Sequence, residues 1–219
     1  MNPEVVVRPY RAGDRSAVRQ ICCDTADLGL PVERIFHDRD ATADFLTRYY
    51  TDDEPQASWV AECGGRVVGY LTGCLDARRY RRWMATWIAP AVVARSVLRG
   101  ALWRRQTWRL LSAWLATWRR GGFERRIPLA QYPAHVHINV REGFRGQGVA
   151  RELLERFTAQ VRAKGLQGIH ASVREDNVPA CRFFEQMGFV TLQRWPIMLP
   201  KAEALQLHHT VLYGKSLAR

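Results

Sequence analysis

Two glycines one residue apart, in Arg145-Gly146-Gln147-Gly148-Val149-Ala150, lead directly into a run with apolar side chains at helical spacing: Val149, Leu153, Leu154, Phe157 and Val161. Glycines let a backbone turn sharply and approach a ligand closely. The first turn of a helix adds unpaired N–H groups and the positive end of its dipole. Such a place suits a phosphate. Just upstream, His135, His137 and Asn139 alternate with Val136, Ile138 and Val140. Imidazole titrates near neutral pH, so two histidines on one strand face are candidates for removing a proton from an ammonium group. The competing reading has them lining a pocket or satisfying backbone groups without catalysing. No third ligand accompanies the two histidines, so no metal site is expected.

These residues need a strand, a tight turn and a helix in that order. Period-2 alternation over residues 134–140 supplies the strand, and the 3.6-period run from Val149 supplies the helix, ending near Gly165. A β-branched stretch from Ile169 to Arg174 predicts the next strand. Asn177 then suits a helix cap, Pro179 its first turn, and Gly188 a left-handed end before a strand beginning at Phe189-Val190.

The turn lacks the Gly-Lys-Ser/Thr of a Walker loop and the Gly-x-Gly-x-x-Gly of dinucleotide folds. Arg-x-x-Gly-x-Ala over Arg145–Ala150 instead resembles motif A of the GCN5-related N-acetyltransferases, the GNAT family. The run from Asn177 through Ala180, Phe183 and Phe184 to Gly188-Phe189 is similar to that family's motif B. The resemblance covers nearly the whole chain outside one inserted segment. It implies an α/β fold with a mixed, mostly antiparallel sheet flanked by helices, and acetyl-CoA as co-substrate without a metal. The implied reaction moves the acetyl group to an amine by direct attack. By the same resemblance the backbone of Val140, Arg141 and Glu142 holds the pantetheine arm. The N–H groups of Arg145, Gly146, Gln147, Gly148, Val149 and Ala150 hold the pyrophosphate, and Asn177 contacts the arm. The family's frequent general acid is a tyrosine at the position of Phe184, and a phenyl ring cannot donate a proton. Tyr132-Pro133-Ala134 followed by His-Val-His-Ile-Asn also looks like the acetyltransferase-like domains found beside some O-GlcNAc hydrolases. With His135, His137 and Asn139 as catalytic candidates, the leading expectation is an N-acetyltransferase. The alternative is a weak or inactive CoA-binding module that docks a partner.

A chain of 219 residues, 47% hydrophobic and 25% charged, fits a single domain with an insertion. Five cysteines without ligand spacing read as reduced core thiols. No signal peptide or membrane-length apolar run is visible, which makes the cytoplasm the default location. The net charge of +12 is concentrated: thirteen arginines and one acid, Glu124, lie between Arg78 and Arg126.

Taken in order, the chain offers a strand at Glu4–Arg8, a helix from Ala12, and a second over Asp38–Tyr50 with Ala41, Phe45, Leu46 and Tyr49 inward. A hairpin follows through Gly64-Gly65. Residues 77–131 then form the insertion, holding six of the eight tryptophans. Two or three amphipathic helices are expected there, with Leu110, Leu111, Trp114 and Trp118 on one face and Arg105, Arg109, Arg119 and Arg120 on the other. Three roles compete. It could be a lid or dimer element with tryptophans packed on the core, a membrane-surface element, or a site for nucleic acid or an acidic substrate, chiefly the substrate. No nucleic-acid module is present, so the expected partner is a small or peptidyl amine, with an anionic one favoured by the arginines. After Trp195 a loop around Pro196 and Pro200, a helical turn at Lys201–Leu207 and a closing strand at His209–Leu217 are expected.

Overall fold

Gly64 and Gly65 both take left-handed φ values, 55° and 74°, which is what a two-residue hairpin turn demands. They join the second and third strands of a seven-stranded sheet. The computed structural model describes residues 4–123, 127–201 and 204–218. In chain order the elements are β1 (Val5–Pro9), α1 (Arg15–Thr25), α2 (Arg39–Arg48), β2 (Trp59–Cys63), β3 (Arg66–Cys74), α3 (Ala77–Trp83), α4 (Ala89–Leu98), α5 (Arg105–Arg119), β4 (Ala134–Val140), α6 (Val149–Ala163), β5 (Gly168–Arg174), α7 (Val178–Gln186), β6 (Val190–Lys201) and β7 (Ala204–Ser216). Sheet order is β1-β2-β3-β4-β5-β7-β6, antiparallel except for β4 beside β5. The expected mixed sheet with an insertion between β3 and β4 is therefore present.

The period-2 pattern sorts the two faces. Val136 and Val140 of β4 and Ile169, Ala171 and Val173 of β5 are buried with Leu153, Leu154, Phe157 and Val161 of α6 and Phe184 of α7. Burying a side chain such as Phe157 contributes roughly 1.5–3 kcal/mol. At Gly73 a Cβ would lie 2.3 Å from the Phe157 ring and 2.9 Å from the Ala57 carbonyl oxygen, so β3 and α6 meet only because that residue is glycine. The opposite face receives α1, where Val18, Ile21 and Cys22 pack with Val60 and Tyr70. Asp38 caps α2 by accepting from Ala41 N at 2.9 Å. Asp44 of α2 is buried and ion-paired with Arg19 and with Arg95 of α4.

Several expectations are corrected. Of the residues expected on one side of this stretch, Ala41 and Tyr49 are buried but Phe45 is exposed, and α2 also buries Ala43, Asp44 and Thr47. Pro196 and Pro200 lie inside β6, and Leu205 to Leu207 inside β7, as one long hairpin. Ala202 and Glu203 fall outside the described residues, as do Glu124, Arg125 and Arg126. β6 is the last strand of the sheet, where a missing proline N–H need not break a ladder. The tryptophans of the insertion are mostly not packed on the core. Trp83 is partly buried, but Trp87, Trp103, Trp108, Trp114 and Trp118 face outward. What α5 buries is its small face, Ala113 and Thr117. Thr117 Oγ1 accepts from Met198 N on β6 at 2.8 Å and donates to Ala113 O at 2.8 Å. The cysteines are free thiols, four of them buried, as expected. Among the described residues no helix is long and apolar enough to cross a membrane.

Candidate active site

β4 pairs with β3 along its whole length, Cys74 opposite His135 through Gly69 opposite Val140. Toward β5 it pairs only at Ala134 with Ile169 and His135 with His170. Beyond that point β5 stays with β7, and β4 diverges from it. This break in the ladder between two neighbouring strands is the candidate cleft. Arg141 N donates to Val68 O on β3 at 2.9 Å. Strand alternation therefore turns the N–H and C=O of Ile138 and Val140 toward the cleft. Arg145 Nε donates to Val140 O at 2.9 Å from that side.

The glycine turn sits at the mouth of this cleft. Gly146 and Gly148 have φ of 76° and 83°, and a Cβ at either would meet nothing within 4 Å. Their requirement is torsional, not spatial. Gly148 is the residue before α6, and no side chain caps that helix, so its first N–H groups remain available to an anion. Val149 anchors the turn in the core, while Ala150 packs against its edge. Glu142 is exposed. Gln147 Nε2 donates to Gly143 O at 2.9 Å, and Arg141 reaches Asp24 at 3.5 Å. On the other wall, just past β5, Asn177 caps α7 through Ala180 N at 3.3 Å. Val140 thus ends β4, Arg141 to Ala150 follow it, and Asn177 follows β5, the two strands whose pairing ends here. Phe184 does not line the cleft with a polar group. It is only 6% exposed, stacked on Tyr213 and packed edge-on to Phe183 and Phe189.

His135, His137 and Asn139 share the face opposite α6. Asn139 Nδ2 donates to Tyr70 Oη at 2.8 Å and contacts His137 Nε2 at 3.2 Å. An amide N–H pointing at Nε2 leaves the imidazole proton on Nδ1. His135 Nδ1 and Tyr50 Oη share a hydrogen bond of 3.0 Å, and the His135 ring stacks on Tyr80 of α3. Burial pushes His135 well below the usual histidine range, with His170 and His137 adding to the effect, and lowers His137 as well. Both are held neutral, the form that can accept a proton.

A third histidine, His170 of β5, joins this group. The parallel register places its ring 5.0 Å from that of His135, with Nδ1 donating to Tyr132 O at 2.8 Å. Burial also lowers His170, while backbone hydrogen bonds to Tyr132 and Ala134 oppose the shift and Arg81 adds to it. The strand parity of residues 169–173 held the clue, since Ile169, Ala171 and Val173 alternate with His170. Tyr50, Tyr70 and Tyr80 carried no such signal. Among the described residues no group of three or more His, Cys, Asp or Glu side chains could hold a metal ion.

A splayed parallel pair, a glycine turn and an uncapped helix form one constellation. The family model described as the acetyltransferase (GNAT) family matches residues 113–189, the part of the chain that builds it. Over that third of the chain the sequence is similar to the GNAT family. An acetyltransferase of Pectobacterium atrosepticum is 32% identical over 72 residues, covering 33% of this chain and 48% of the relative. The chain thus spans about half the length of the curated relative it matches. Among solved structures, SsHAT superposes with a TM-score of 0.71 at 26% identity, covering 99% of this chain and all of its own. An N-acetyltransferase from Staphylococcus aureus Mu50 superposes at 0.59 and 17% identity, covering 98% and 99%. The yncA protein of Salmonella typhimurium, solved with its cofactor acetyl-CoA, gives 0.57 at 15%, covering 98% and 94%. Those two show likeness of fold.

Proposed function

We propose that this protein is an acetyl-CoA-dependent N-acetyltransferase, moving the acetyl group to an amine of a small molecule or peptide by direct attack within a ternary complex. The observation that carries the reading is the opening of β4 from β5 beside the uncapped glycine turn. Acetyl-CoA, when bound, supplies the thioester from which the acetyl group is taken. The chain's own residues do the rest. Gly146 to Ala150 present N–H groups to the pyrophosphate, and the cleft-facing main chain of Ile138 and Val140 extends the sheet edge to the pantetheine amides. Positioning of two reactants contributes much of the rate.

His137 is the general base of this reading. Its Nε2 lone pair takes the proton that the acceptor ammonium must lose, directly or through a water, in exchange for the contact with Asn139. His135 is tied to Tyr50 and is the less available of the two. Arg81 lies near enough to His170 to disfavour its protonation, so positive charge borders the histidine side and favours an anionic acceptor. With Phe184 buried in the core, the chain supplies no phenol at that position, and the thiolate leaves unassisted.

Calorimetry with acetyl-CoA tests the reading. Wild type is expected to bind, and Gly148→Trp, which forces a bulky residue into a left-handed turn, is expected not to, with an unchanged circular dichroism spectrum. Transfer to a panel of amines should then drop about 10²- to 10⁴-fold in His137→Ala, the usual contribution of a general base. Absence of acetyl-CoA binding by the folded wild type would overturn it.

A further inference from the structure

The inserted helices leave a large apolar surface uncovered. At the connection between α4 and α5, Leu98 is 87% and Trp103 92% exposed. Along α5, Trp108, Leu111, Leu115 and Trp118 recur at intervals of three and four, with Trp114 beside them, and all five are exposed. This stripe points away from the line Ala113–Thr117 that docks on β6, so the helix cannot turn it inward without losing the bond from Met198 N. The connection is tied to the helix as well, because Trp108 Nε1 donates to Leu102 O at 2.9 Å. That bond satisfies the indole N–H and leaves the ring exposed.

Basic side chains flank the stripe: Arg104 and Arg105 at its start and Arg119 and Arg120 at its end. The whole segment from Arg78 to Arg126 carries thirteen arginines against one acid. Arg95 and Arg99 meet Asp44, Asp38 and Asp40 of the body, which holds α4 against α2.

We infer that the face formed by residues 98–118 docks the protein on an anionic lipid bilayer, with Leu98, Trp103 and the α5 stripe entering the headgroup–acyl boundary and the flanking arginines meeting lipid phosphates. The charge selects this occupant. A second copy would bring an equally arginine-rich face against the first. An anionic bilayer offers negative charge and apolar depth in the same plane, and tryptophan and arginine are suited to that boundary. The contact is peripheral, since no described helix spans a membrane.

The test is flotation of the full chain with vesicles of phosphatidylcholine alone or mixed with phosphatidylglycerol, monitored also by tryptophan quenching from brominated acyl chains. Binding is expected to the mixed vesicles, weakening as salt is raised. Leu98→Ser with Trp103→Ser should reduce the quenching and weaken partition at least about tenfold. Arg104→Glu with Arg105→Glu should weaken it at least about tenfold through charge alone. These positions face solvent, so unchanged melting temperatures check that the variants fold. No flotation by wild type, or equal flotation with neutral vesicles, would overturn the inference. So would a dimer in sedimentation velocity that Leu98→Ser with Trp103→Ser dissociates. Wild-type binding to an oligonucleotide that competes with the vesicles and persists in the serine variant would count equally against it.

Discussion

At His137 two influences act in one direction: burial disfavours the imidazolium, and the Asn139 amide offers Nε2 a donor. The acid limb of kcat/KM is therefore expected below the ordinary histidine value of about 6.5. Asn139→Asp, which sets a carboxylate beside the ring, should move that limb upward. A limb that stays in place in this variant would exclude His137 as the base. Phe184 permits a second prediction. Its ring packs among Phe183, Phe189 and Tyr213, so the hydroxyl of Phe184→Tyr would be buried there. A loss of about 1–3 kcal/mol in denaturant titration is expected, with no gain in kcat. A higher kcat would show that the ring's outer edge reaches the cleft after all.

Thr117 ties α5 to the body through the bond it accepts from Met198 N on β6. Thr117→Val keeps the shape but strands the Met198 N–H, at a cost of about 1–3 kcal/mol. Hydrogen exchange is expected to accelerate in α5 and at Met198 while α6 stays protected; uniform acceleration would mean that the insertion unfolds only with the core. The turns were legible in the sequence because their causes are local: Gly64-Gly65, Gly146 and Gly148 need left-handed φ, and Asn177 needs only the next turn of its own helix. The strand carrying His135, His137 and Asn139 was legible for the same reason. His170 was not, because its meeting with His135 depends on the register of two distant strands. The direction of the tryptophans was hidden too. Periodicity identifies an apolar stripe but not whether the partner surface is elsewhere in the chain, and on α5 the residues that met it were the small ones. Pro196 and Pro200 read as loop residues because nothing local marks an edge strand.

Across the molecule, His135, His137 and His170 all sit below their ordinary range. The unfolded chain binds their protons first, near pH 6.5, so their contribution to stability is present above about 6.5 and is lost as pH falls through the lower folded values. Asp14, Asp52 and Asp176 are depressed as well. Their contribution persists above about 3.9 and disappears only at stronger acidity. The melting temperature should therefore decline between pH 7.5 and 5 before any carboxylate is protonated, and a flat profile there would contradict the buried-histidine account. Two residue pairs are all that fasten β4 to β5, while the flanking ladders are long. Mechanically the sheet is two plates on a short hinge, and whatever fills the gap becomes the rivet. Under the proposed function the cofactor would be a structural member as well as a reactant, and release of product would return to the plates the freedom to flex.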